Sequence, residues 1–174
     1  MTVKEAIEKR RSIRSYTGIS ETAEQLEAIL TAAYLSPVGR GNYQGMHLTV
    51  IKDDELLDEI DKNAAEMMGH PDMHPLYKAP TLIIVSGKIE GNENVMSANA
   101  GMIIHNMSLT AVALGLGHCD IYGAIRCLNK NEALLKKMDI PEDYTALGSI
   151  IIGETNEEYK VRENRKTIST DIKK

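Results

Sequence analysis

The chain opens on an amphipathic pattern. Val3, Ala6, Ile7 and Arg10 recur at i, i+3, i+4 and i+7, one face of a helix, and Thr2 with Glu5 supplies a T-x-x-E box that caps its start. Arg10 therefore continues the face predicted to be buried. A second helix is predicted from about Ala23 to Tyr34, boxed by Thr22 and Gln25 and striped by Leu26, Ile29, Leu30 and Ala33. Ser36-Pro37 ends it, because the residue before a proline is pushed out of the helical region. The loop Val38-Gly39-Arg40-Gly41-Asn42 leads into a strand-like run from Met46 to Ile51. Asp53 caps a third helix that carries Leu57, Ile60 and Ala64 and ends near Gly69.

Thr81 to Val85 is an unbroken run of strand length, predicted to be buried on both faces. From about Val95 to Leu116 comes a long helix that is apolar almost all round, with Met102, Ile103, Ile104, Met107, Leu109, Val112 and Leu114. Such a helix must be covered on every side. In a chain of 174 residues a partner subunit is an economical cover. Gly115-Leu116-Gly117 closes the helix, and His118 to Ile121 is a short strand. Asn129 and Glu132 box a further short helix that stops before Pro141, and Leu147 to Gly153 is a last buried strand. Residues 154–174 are polar and charged, and either hang free or reach across to something else. No internal repeat breaks the chain, so one domain over residues 1–174 is expected.

Composition narrows the function. A net charge of −5 disfavours non-specific binding to nucleic acid or to an anionic membrane surface. No apolar run is long enough to span a bilayer and no leader-like segment opens the chain, so a cytoplasmic location is expected. Cys119 and Cys127 have neither CxxC nor metal spacing and read as reduced thiols, Cys119 as a small buried residue rather than a nucleophile. His70 and His74 are four apart, but Pro71 and Pro75 break any helix that would set them on one face; a proline loop, not a metal site, is expected. His105 and Asn106 read first as hydrogen-bonded core residues of the long helix, with a place facing a ligand pocket left open for either. Gly115-x-Gly117 lies at a helix end rather than before one, which makes it a cap and not a dinucleotide fingerprint.

Arg10-Arg11-Ser12-Ile13-Arg14 is the most informative stretch. Arginine offers a planar fork that pairs bidentately with phosphate and stays charged when partly buried, so this cluster is a credible anion site. Most short charge runs face water, and composition alone favours a solvated basic turn. That reading explains Arg10 poorly, because a charge on an apolar helix face needs a buried anionic partner.

Around this stretch the chain resembles the nitroreductase family of flavoproteins over nearly its whole length. The likeness runs from the N-terminal helix and Arg10–Arg14, through Ser36-Pro37 with Asn42 and Gln44, similar to the family's S-P-S-x-x-N-x-Q-P-W, to Ala79-Pro80-Thr81-Leu82-Ile83-Ile84. It continues through the long helix with Asn106 and through Gly115-Leu116-Gly117-His118-Cys119 to Ile121-Tyr122-Gly123. Gly45-Met46 stands where the family has Pro-Trp, the loop before it is one residue longer, and the chain is shorter than typical members.

The resemblance implies an α+β fold, a mixed and mainly antiparallel sheet flanked by helices, in an intertwined homodimer with the long helix at the interface. It implies FMN as cofactor and NAD(P)H as reductant, with a nitroaromatic, a quinone or a similar small molecule as acceptor in a ping-pong cycle. Arg10 and Ser12, with Arg11 beside them, fall at positions that hold the FMN phosphate. Arg14 falls near N1 and O2 of the flavin ring as electrostatic support, and no side chain acts as nucleophile. Tyr122 and Gly123 match the turn that approaches N5 and O4. Pro37, Val38, Gly39 and Asn42 match the loop that touches the flavin from the other subunit. Arg162 or Arg165 in the tail supplies a last phosphate contact, with Arg165 favoured. Two alternatives stay open: a flavin-dependent reductase or dehydrogenase of another substrate class, and a flavin-binding redox sensor or store without turnover.

Overall fold

The computed structural model describes residues 1–89, 93–161 and 168–173. Helix α1 (Val3–Lys9) and helix α2 (Ala23–Tyr34) both start on the predicted boxes, Thr2 with Glu5 and Thr22 with Gln25. Each box satisfies two backbone N–H groups that a helix start leaves without partners. Strand β1 (Met46–Ile51), helix α3 (Asp54–Met67, capped by Asp53), strand β2 (Thr81–Lys88) and helix α4 (Glu93–Ala113) follow. Gly115, with a left-handed φ of 75°, ends α4 and turns the chain into strand β3 (Gly117–Ile121). Helices α5 (Gly123–Leu128) and α6 (Glu132–Lys137) precede strand β4 (Tyr144–Gly153).

The four strands form one sheet in the order β1-β2-β4-β3, antiparallel at every pairing. Successive strand residues point to opposite faces. Leu82 and Ile84 of β2 and Ile151 of β4 pack with Leu57, Ile60, Ile125 and Leu128 of α3 and α5. Ile83 and Val85, with Ile150 and Ile152, pack on the other side against Ile29 of α2 and Ile103, Ile104 and Met107 of α4. Both inner strands are covered twice, which is why they read as unbroken apolar runs. Each fully buried Ile contributes roughly 1.5–3 kcal/mol of transfer free energy. The buried Glu21 carboxylate accepts from Lys52 Nζ and from Thr81 Oγ1, both at 2.8 Å, and ties the end of β1 to the start of β2.

Four expectations are corrected. The face of α1 expected to be buried is largely exposed, with Val3 at 72% and Ile7 at 48%, and of its apolar residues Ala6 is the one that packs inside. The cap of the last short helix is Asn131, whose side chain accepts from Leu134 N, and not Asn129. Asn129 instead ends α5, a helix the hydrophobic pattern did not reveal, and exchanges hydrogen bonds with the backbone of Ala146. His105 is not a core residue, because it lies on an outward stripe of α4 with Val95, Ala98 and Met102, spaced at three and four residues; Asn106 is half-buried and donates to Ser36 Oγ at 2.8 Å. That stripe leaves part of α4 uncovered within one chain, Met102 being 38% exposed.

The segment after β4 does not hang free at its start. Thr17 N donates to Glu154 O, Glu154 N to Ile19 O, and Thr155 Oγ1 to Ser15 O, so this stretch runs beside residues 15–19 of its own chain.

Candidate functional site

Strand β3 is an edge strand, and the basic segment lies along its open side. Ile13 N donates to His118 O at 2.8 Å, and the Ile13 side chain is fully buried. That anchor leaves Arg10, Arg11 and Ser12 half-buried on one side of it and Arg14 exposed on the other. Arg11 Nη2 donates to Lys160 O at 2.8 Å, while its Nε is buried without an acceptor among the described residues. Arg14 Nε donates to the Tyr77 hydroxyl at 3.2 Å, with the guanidinium 5.6 Å from the centre of that ring. Among the described residues no carboxylate lies within ion-pair distance of these three guanidinium groups. The Glu157 carboxylate does approach, accepting from the Arg14 backbone N at 3.2 Å.

Behind the arginines sits a buried polar chain. The Tyr159 hydroxyl donates to Leu116 O at 2.6 Å, so its oxygen accepts from His118 Nδ1 at 2.8 Å and the imidazole proton resides there. His118 Nε2 is thereby a bare acceptor, buried without a partner among the described residues. Burial pushes the His118 imidazole down to about 3, and the nearby positive charge of Arg10 and His105 adds to this. The unfolded chain then holds the extra proton, so the contribution of neutral His118 is complete above about pH 6.5 and is lost as the pH falls toward 3. We expect His118→Gln to lower stability at pH 7 but to flatten the loss between pH 6.5 and 4, read from urea unfolding at each pH. Parallel losses in both proteins would remove His118 as the source.

Cys119 points to the opposite face of β3 and is buried, as expected. Burial pushes its thiol up, with the Ser12 hydroxyl beside it pulling partly back. Tyr122 follows β3 directly with its side chain 64% exposed, and Gly123 begins α5. A Cβ at Gly123 would lie 2.8 Å from the Met68 methyl, the free end of a flexible side chain that can move aside. Tyr122, Asp120 and His105 border an open cleft of about 620 Å³ floored by Ile104, Leu147 and Gly148. The ends of β3 thus gather Arg10, Arg11, Ser12, Arg14, Tyr122 and Gly123.

The loop with Pro37, Val38, Gly39 and Asn42 lies elsewhere. It leads into β1, the opposite edge of the sheet from β3, which three strand spacings put roughly 14 Å away. Gly39 N donates to Asn99 Oδ1 on α4 at 2.9 Å, and Pro37 and Asn42 are exposed. The Val38 side chain is buried in the chain's own core against α4 and the sheet, which leaves its backbone to face outward contacts. Arg162 and Arg165 lie outside the described residues. His74 is no free ligand either, since its Nδ1 lies 2.8 Å from the buried carboxylate of Asp61. Tyr77, Tyr159 and Asp61 escaped the sequence reading; each acts through a partner far along the chain, and periodicity carries no trace of such pairs.

The family model of the Nitroreductase family matches residues 7–154. This chain belongs to the nitroreductase family. An Archaeoglobus fulgidus protein described as a putative NADH dehydrogenase/NAD(P)H nitroreductase is 28% identical over 150 residues, covering 86% of this chain and 83% of that one. A nitroreductase from Bacteroides fragilis, solved with bound FMN, superposes with a TM-score of 0.83 at 26% identity over 99% of this chain and 100% of its own. A second, from Desulfitobacterium hafniense and also with bound FMN, gives 0.86 at 23% identity, with 99% and 100% covered, and speaks for the fold alone. The α+β nitroreductase fold expected from the sequence is therefore the one found, and this member of the family carries its basic segment on the β3 edge.

Proposed function

We propose that this chain is an FMN-dependent oxidoreductase that takes hydride from NAD(P)H and passes reducing equivalents to a nitroaromatic, a quinone or a similar small acceptor. The observation that carries it is the basic segment on the β3 edge: three guanidinium groups, a hydroxyl and an orphaned buried Arg11 Nε, with no carboxylate paired to them among the described residues. That donor set fits a phosphate monoester. Bound FMN supplies hydride acceptance and donation at its ring N5. Arg10, Arg11 and Ser12 would hold its phosphate and Arg14 would place a fixed positive charge near the ring, with Tyr122 and Gly123 flanking it through their backbone. Arg165 is the candidate for a further phosphate contact.

The working unit is a homodimer. The loop Pro37–Asn42 sits at the sheet edge away from the arginines, and α4 carries an uncovered apolar stripe, so two copies packed on α4 let the loop of one serve the site of the other. The two free cysteines suit the reducing cytoplasm.

The purified protein is expected to be yellow, or to become so with added FMN, and to release a flavin monophosphate on heating. Release of FAD, or a protein that takes up no FMN, overturns the reading. Steady NAD(P)H consumption on addition of a quinone separates an enzyme from a flavin store, which would show one turnover at most.

A further inference from the structure

The connection between α3 and β2 contains two consecutive non-glycine residues in the left-handed region, Tyr77 at φ 53° and Lys78 at φ 56°. L residues avoid this region because Cβ crowds the carbonyl, so the surroundings have to impose it. The imposing group is Asp61. Its buried carboxylate on α3 accepts from Leu76 N at 2.7 Å and pairs with His74 Nδ1 at 2.8 Å. The turn is then locked by Tyr77 N to His74 O at 2.8 Å and Ala79 N to Leu76 O at 3.0 Å, and the Leu76, Ala79 and Pro80 side chains on either side of it are buried. Held at both ends, the left-handed pair projects Tyr77 to the β3 edge, where its hydroxyl meets Arg14 Nε and its ring lies beneath the guanidinium.

Resting on the reading that Arg14 serves bound FMN, we propose that Tyr77 is the positioning residue for Arg14, and that Asp61 positions Tyr77. An exposed arginine samples many rotamers, and its charge is spread over all of them. A carboxylate would fix the side chain but cancel much of the charge. A neutral phenol accepts from Nε alone, leaves both Nη groups to a ligand, and keeps the charge intact. The strained turn is thus the cost of holding a cation still without neutralising it.

The test measures, on FMN-loaded protein, the dissociation constant of oxidised FMN by fluorescence and the flavin midpoint potential, which together give the preference for reduced over oxidised flavin. Tyr77→Phe keeps the ring and removes the acceptor. It should leave oxidised FMN affinity within about twofold and lower the preference for reduced flavin roughly three- to tenfold, the size of one ordinary hydrogen bond lost at an exposed arginine. Asp61→Asn should change the preference in the same direction. Arg14→Ala should lower it at least as far, and Tyr77→Phe added to Arg14→Ala should lower it no further. If Arg14→Ala lowers the preference and Tyr77→Phe does not, the positioning role is overturned while the reading of Arg14 stands. Additive effects in the double variant also overturn it, since Tyr77 would then act on the flavin directly. If Arg14→Ala itself changes nothing, the role of Arg14 falls, and that of Tyr77 with it.

Discussion

Arg10→Ala is expected to weaken FMN binding by about 1.5–3 kcal/mol, roughly ten- to a hundredfold in the dissociation constant. Arg10 closes α1, its N–H donating to Ala6 O at 2.8 Å, and its half-buried side chain lies close enough to His118 to lower that imidazole. The backbone of Arg10 is therefore fixed by local structure before any ligand arrives, and only side-chain freedom is left to lose when a phosphate engages it. Arg10→Lys should fall between, because it keeps the charge but loses the planar fork. Fluorescence titration of FMN decides the matter; an unchanged dissociation constant in Arg10→Ala would place the phosphate elsewhere.

Met102→Glu should produce monomers that lose FMN together with their partner. Met102 lies on the outward stripe of α4 and is 38% exposed, so a charge there can reach solvent and should leave the monomer fold intact. Ile104 and Met107 are unsuitable for this purpose: both are buried against the chain's own sheet, and a charge at either would unfold the subunit. If two half-sites make one flavin site, the cofactor stabilises the dimer by mass action, and excess FMN should draw a weakened variant back to dimer. Sedimentation velocity with absorbance at the flavin band reads both quantities at once. A monomer with FMN bound at full affinity would refute the shared site.

The parts of this fold that were legible in the sequence are those governed by short-range rules. Thr2 with Glu5 and Thr22 with Gln25 announce their helices because a capping box spans only four residues, and Thr81–Val85 announces itself because a strand covered twice has no polar face. Helix α5 stayed hidden because six residues, Gly123 to Leu128, are too few for a 3.6-residue period to emerge. Arg10–Arg14 stood out by charge. Its supports did not, because Tyr77, Asp61 and Tyr159 are set in place by hydrogen bonds whose partners are 13 to 63 residues away. His105 was misread for a related reason: a helix that is apolar nearly all round does not disclose which face its own chain will cover.

The sheet order β1-β2-β4-β3 also governs how the chain can acquire its structure. The last strand to be made is a central one, and β3 has no sheet partner apart from it. Until residues 144–153 have emerged from the ribosome, β2 is paired on one side only and β3 has no strand beside it, so the sheet cannot close before that point. Contacts this distant in sequence form slowly, and in the interval the apolar strand β2 presents an open edge on which another nascent chain could pair. Closure of the sheet is in this sense timed by the appearance of β4, the strand on which both β2 and β3 depend.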